Sequence, residues 1–91
     1  MENFHMDAFD KLFEAVLKLE SVEECRKFFE DVCTIKELQD VTQRLEVASL
    51  LKQGLNYQAI SKATGASTAT ISRVNKCLNY GSGGYNLVLK D

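Results

Sequence analysis

The apolar pattern between Ile35 and Gln53 constrains this chain more than any other feature. Leu38, Val41, Leu45, Ala48 and Leu51 recur at three- and four-residue steps, and Val47 and Leu50 widen the stripe. That period is helical, and an apolar surface so wide has to be covered on two sides. A chain of 91 residues has little mass to spare for both. The pattern therefore predicts a central helix packed against the same helix of a second copy, with the phenylalanines of the first helices interleaved around it. Pairing of copies is also a common route to stability for so short a chain.

The surrounding punctuation is helical too. Phe4, Ala8, Phe9, Leu12, Phe13, Val16 and Leu17 predict a first amphipathic helix over about 4–19. Ser21-Val22-Glu23-Glu24 reads as a capping box, in which the serine caps a free amide and the glutamate reaches back. It opens a second helix over about 22–31, with Val22, Cys25, Phe28, Phe29 and Val32 inward. Thr34-Ile35-Lys36-Glu37 repeats the signal for the third helix, and Gly54 stands where a helix end favours a left-handed residue. The fold expected is all-α and a single domain: dimerisation helices over 1–53, a compact helix pair over 55–78 and a tail over 79–91.

Net charge is only −2, but it is unevenly spread. Residues 1–46 carry twelve acids against six bases, whereas residues 47–90 carry Lys52, Lys62, Arg73, Lys76 and Lys90 and no acid. The second stretch is a candidate phosphate-facing surface. No apolar run approaches the ~18 residues that cross a bilayer. Glu2 and Asp7 stand where a secretory signal would carry lysines, so the expected location is the cytoplasm. Cys25, Cys33 and Cys77 lack paired spacing and His5 is distant from them in sequence, so reduced thiols and no metal site are expected.

Residues 55–78 carry the chemistry. Asn56 caps a short helix to about Thr64, Gly65 breaks it, Ala66 bridges, and Ser67 caps a second helix from Thr68. Two short helices on so tight a turn cross steeply and need a small residue at the crossing, here Ser61. Ile71, Val74 and Leu78 are the buried anchors, met by Ile60 from the first helix. Thr68, Ala69, Ser72, Arg73 and Lys76 then face outward, and this is the pattern of a helix-turn-helix that binds double-stranded DNA. Small side chains and hydroxyls at the helix start let the backbone enter a major groove, and Arg73 suits either a guanine edge or a phosphate. Asn56, Tyr57, Gln58 and Lys62 would lie over the DNA backbone, with Ser67 and Thr70 at the head of the second helix.

Thr34 to Leu78 resembles the tryptophan repressor family, most specifically over Gly65-Ala66-Ser67-Thr68-Ala69-Thr70-Ile71-Ser72-Arg73. With Asn79-Tyr80-Gly81-Ser82-Gly83-Gly84-Tyr85 included, the chain is most similar to that family's TrpR-like YerC/YecD group. The resemblance implies a helical bundle in an intertwined homodimer whose two heads bind a palindromic operator. It also implies an effector pocket. Arg44 and Arg73 match the arginines that sandwich the corepressor, and Thr34 and Thr70 match other pocket positions. Val74 stands where the family has a glycine against the ligand, and Cys77 replaces a serine. An isopropyl group at the first of these should fill the space, so no tight tryptophan binding is expected. The chain would act unliganded or with a different small molecule.

Gly81-Ser82-Gly83-Gly84 lacks the strand, the Lys-Ser/Thr and the helix of a phosphate loop and reads as a flexible turn. Tyr85-Asn86-Leu87-Val88-Leu89 reads as a short β or tail segment. An enzyme is not expected, because no base lies beside a serine or cysteine nucleophile. The competing reading is a helix-turn-helix that binds another protein and has no operator of its own. The salt dependence of DNA binding separates the two.

Overall fold

Six helices form among the described residues of the computed structural model: α1 (Glu2–Val16), α2 (Val22–Val32), α3 (Ile35–Lys52), α4 (Tyr57–Thr64), α5 (Thr68–Tyr80) and α6 (Gly84–Val88). The structure describes the backbone of residues 2–90 and the side chains of residues 7–90, and no strand occurs among them. The expectations for Phe4 and His5 fall outside the described side chains. The chain divides into two compact units, one ending at Ile35 and the other beginning at Lys36.

The first unit contains α1 and α2. α1 stops at Val16, short of the expected boundary, because the next residues tighten: the Lys18 and Leu19 amides donate three residues back, to Ala15 and Val16, at 3.1 Å each. Ser21 caps α2 as its sequence requires, accepting from the Glu24 amide at 3.1 Å. The Glu24 carboxylate reaches one residue further back than expected and accepts from the Glu20 amide at 2.8 Å. Phe28 and Phe29 meet edge to face with centroids 5.2 Å apart. No residue from 7 to 35 is fully buried, and Phe9, Phe13 and Leu17 of the apolar stripe are exposed.

The second unit closes its own core. Val47 and Ala48 of α3, Ile60 of α4, Ala66 of the turn and Ile71 and Val74 of α5 are all buried. Leu50, Leu51, Leu55, Tyr57, Tyr85 and Leu89 pack around them. Each fully buried isoleucine or valine contributes about 1.5–3 kcal/mol. α3 ends in a reversal that fixes where α4 begins: Leu55 N–H donates to Leu50 O at 3.2 Å and Gly54 N–H to Leu51 O at 3.0 Å. Gly54 supplies the left-handed backbone this needs, with φ of 89°. The covered side of α3 is thus the Val47–Leu51 end. Val41 and Leu45 of the predicted stripe stay 54% and 40% exposed in the single chain.

The tail differs from its expectation. Residues 84–88 form α6, neither strand nor unstructured tail. Tyr85 and Leu89 are half-buried one helical turn apart, whereas Leu87, which a strand would place on their side, is exposed. The spacing that decides is four residues, not two. The preceding turn is anchored by Gly83, with φ of 89°, whose carbonyl accepts from Leu87 N–H at 3.2 Å.

Candidate nucleic-acid interface

The helix pair α4–α5 is built by its own side chains before any long-range contact is counted. Asn56 Oδ1 accepts from Ala59 N–H at 2.9 Å and starts α4. Gly65 ends it in the left-handed region, φ 76°, with its amide on Ser61 O at 2.8 Å. Thr64 Oγ1 donates to Ile60 O at 2.8 Å and accepts from Ala66 N–H at 3.1 Å, so the turn's inner amide is satisfied. Ser67 Oγ accepts from Thr70 N–H at 3.1 Å and starts α5. Ser61, the small residue expected at the crossing, is half-buried and donates to Ala66 O at 2.7 Å. A third tie comes from α3, where Gln43 Nε2 donates to Thr64 O at 3.1 Å.

Ile71 and Val74 point into the core and Leu78 is half-buried, so the outward side of α5 is fixed by packing. Thr68, Ala69, Ser72, Arg73 and Lys76 are all exposed on it. Asn56, Gln58 and Lys62 are exposed at and along α4. Ser67 is exposed but committed to its cap. Thr70 is half-buried, with its hydroxyl accepting from Ser67 Oγ at 3.2 Å. Tyr57 is also half-buried, its ring against the core instead of fully outward. No acid lies between Val47 and Lys90, so Lys62, Arg73 and Lys76 meet no counter-charge on their own elements. A face of small residues, hydroxyls and uncompensated cations on a rigid helix is suited to polyanion binding.

Of the residues matched to an effector pocket, Arg44 is on α3 and Thr70, Arg73, Val74 and Cys77 are on α5. A cavity of ≈ 500 Å³ is lined by Val41, Arg44 and Leu45 of α3, by Cys77 of α5, by the 81–84 turn and by Tyr85 and Val88. Arg44 and Cys77 therefore share one wall system. Arg73 is exposed one helical turn before Cys77 on the same side of α5, Thr70 is half-buried with its hydroxyl on Ser67, and Val74 is 1% exposed within the core. Thr34 is exposed just ahead of α3. No group of three metal-ligating side chains occurs among the described residues, and none of their helices is long and apolar enough to cross a membrane.

Three structural contributors were missed from the sequence. Ala66 is core and not merely a bridge. Gln43 and the pair Lys52–Asn86, Nζ to Oδ1 at 2.9 Å, hold α4 and α6 to α3. Nothing in the sequence sets Gln43 apart from Gln39 or Thr42 beside it, so the first tie is visible only in the fold.

Similarity to known proteins agrees with this architecture. The chain is 55% identical over 80 residues to YerC, an uncharacterised protein of Bacillus subtilis, covering 88% of this chain and 77% of that protein. Among solved structures, a candidate Trp repressor from Staphylococcus aureus superposes with a TM-score of 0.87 at 51% identity, over 91% of this chain and 83% of that one. A TrpR-like protein from Eubacterium eligens superposes with a TM-score of 0.89 at 51% identity, over 92% and 87% of the two chains. Residues 7–91 match the Trp repressor protein family as a whole, and the chain belongs to that family.

Proposed function

We propose that this protein is a cytoplasmic, dimeric helix-turn-helix regulator that binds a palindromic double-stranded DNA operator and represses transcription. The observation that carries the reading is the outward side of α5, where Thr68, Ala69, Ser72, Arg73 and Lys76 are exposed on a helix whose opposite side is locked into the core. Thr68, Ala69 and Ser72 are short enough for the helix to enter a major groove, and Arg73 and Lys76 supply charge to its walls. Asn56, Gln58 and Lys62 meet the phosphates beside it, with Tyr57 at the same edge. Binding across a promoter blocks polymerase.

Dimerisation is supported by what each chain leaves uncovered. The first unit has no fully buried residue among those described, and Phe9, Phe13, Val41 and Leu45 are exposed. A second copy covering these helices would set two heads facing one duplex, with α5 helices about 34 Å apart for successive major grooves. Tryptophan is not the effector in this reading, because Val74 fills the space a glycine would leave.

Selection of bound duplexes from a random pool, with sedimentation of the free protein, tests the proposal. The expected result is a dimer that enriches a palindrome with half-sites about 10 base pairs apart, and whose log affinity falls linearly with log salt. A pool without enrichment, or an affinity flat in salt, would favour a protein-binding module instead.

A further inference from the structure

α6 cannot persist by itself. It has five residues, whereas isolated helices below ~12–15 residues are marginal in water. Its support is tertiary. Tyr85 and Leu89 rest against the core that α3, α4 and α5 share, and Lys52 in the last turn of α3 donates to Asn86 at 2.9 Å. The joint to α5 is equally constrained. Gly81 N–H donates to Cys77 O at 2.8 Å, and a Cβ at Gly81 would collide with that same oxygen. The chain leaving α5 is thus turned back and pinned to the helix that carries the head.

The support is applied at points and not along a face. The cavity beside Arg44 separates the 81–84 turn from Val41 and Leu45, and Leu87 and Val88 are exposed. α4 has its own tie to α3, from Gln43 to the Thr64 carbonyl at 3.1 Å. Near the far end of α5, Cys77 is set across that cavity from α3, and α6 follows with its own hold on α3 through Lys52 and Asn86.

We propose that α6 is a brace for the reading helix and that Tyr85 is its positioning residue. Seated against the core, the Tyr85 ring fixes the direction of α5 relative to α3 and holds the head in its docking geometry with no small molecule bound. Without that ring α5 samples other directions. The docking-competent fraction then falls, and apparent affinity falls in proportion. The inference rests on the DNA-reading function proposed above and adds how the reading helix is held.

Tyr85→Ala and Tyr85→Phe in the full chain test it, read by two measurements. The first is affinity for the duplex recovered by selection, across a series of salt concentrations. The second is amide hydrogen exchange of the free protein. For Tyr85→Ala, affinity should fall about tenfold, as for a competent fraction reduced to about a tenth. The salt slope should not change, because no phosphate contact is removed. Exchange should quicken along 72–80 of α5 while the amides of α3 and α4 keep their protection. Tyr85→Phe, which keeps the ring, should match the native protein in both measurements. Affinity within twofold of native for Tyr85→Ala, or protection lost equally across α3, α4 and α5, would overturn the proposal. If the native chain itself selects no duplex, the functional reading fails, and hydrogen exchange still decides whether Tyr85 holds α5.

Discussion

The Ser61 hydroxyl donates to the Ala66 carbonyl at 2.7 Å, joining the middle of α4 to the far side of the turn. The contact lets a helix crossing and a hydrogen bond occupy the same small space. Removing the hydroxyl leaves a carbonyl beside the buried Ala66 without this partner. Ser61→Ala should therefore lower unfolding free energy by about 1–2 kcal/mol in a denaturant titration. Ser61→Leu should cost more, because it forces the helices apart.

Gly65 separates two effects that are often confounded. Its φ is 76°, yet a Cβ there would meet nothing within 4 Å. Gly65→Ala should cost about 1–2 kcal/mol from backbone conformation alone. Gly65→Asn should recover part of that cost, since asparagine tolerates the left-handed region. Thermal melts of the two variants give the comparison.

Arg73 and Lys62 are both exposed, so neither substitution should move the melting temperature appreciably. Under the proposed docking their effects on DNA differ. Arg73→Ala should weaken the selected duplex by about 1–3 kcal/mol and relax preference at one base pair. Lys62→Ala should weaken all duplexes alike and reduce the salt slope by about one. Titrations at several salt concentrations distinguish the two.

Tryptophan is expected to give no micromolar binding in calorimetry of the free protein. The reason is Val74, whose side chain is part of the core at 1% exposure. Val74→Gly would remove that volume, but as a core truncation in mid-helix it should also destabilise the head by several kcal/mol. A micromolar isotherm with the native chain would refute the account of this position.

Much of the fold was legible because local signals and burial agreed. Ser21, Asn56 and Ser67 cap the helices they were expected to open, and Gly65 takes the backbone it alone adopts without cost. Ile60, Ile71 and Val74 are buried where the helical period placed them. α6 was not legible, because Tyr85, Leu87 and Leu89 fit an alternating pattern as well as a helical one over so short a run. Only the docking of Tyr85 and Leu89 on the core decides between them. The effector positions came from the resemblance and not from a pattern in the residues. Matching Arg73 and Thr70 by position says nothing of the contact between the Thr70 hydroxyl and Ser67 or of the exposure of Arg73. Cys77, one helical turn beyond Arg73, lines the cavity beside Arg44.

The opening turn of α5 carries only short exposed side chains, Thr68 and Ala69. Seated in a groove as proposed, such a helix brings its main chain near the base pairs, and ordered water spans the gap that long side chains would otherwise fill. Discrimination then depends heavily on how readily a given duplex narrows or bends around the protein. Bound sites compared letter by letter should show a shallow consensus, while substitutions at untouched, stiff or flexible steps should separate strong sites from weak ones.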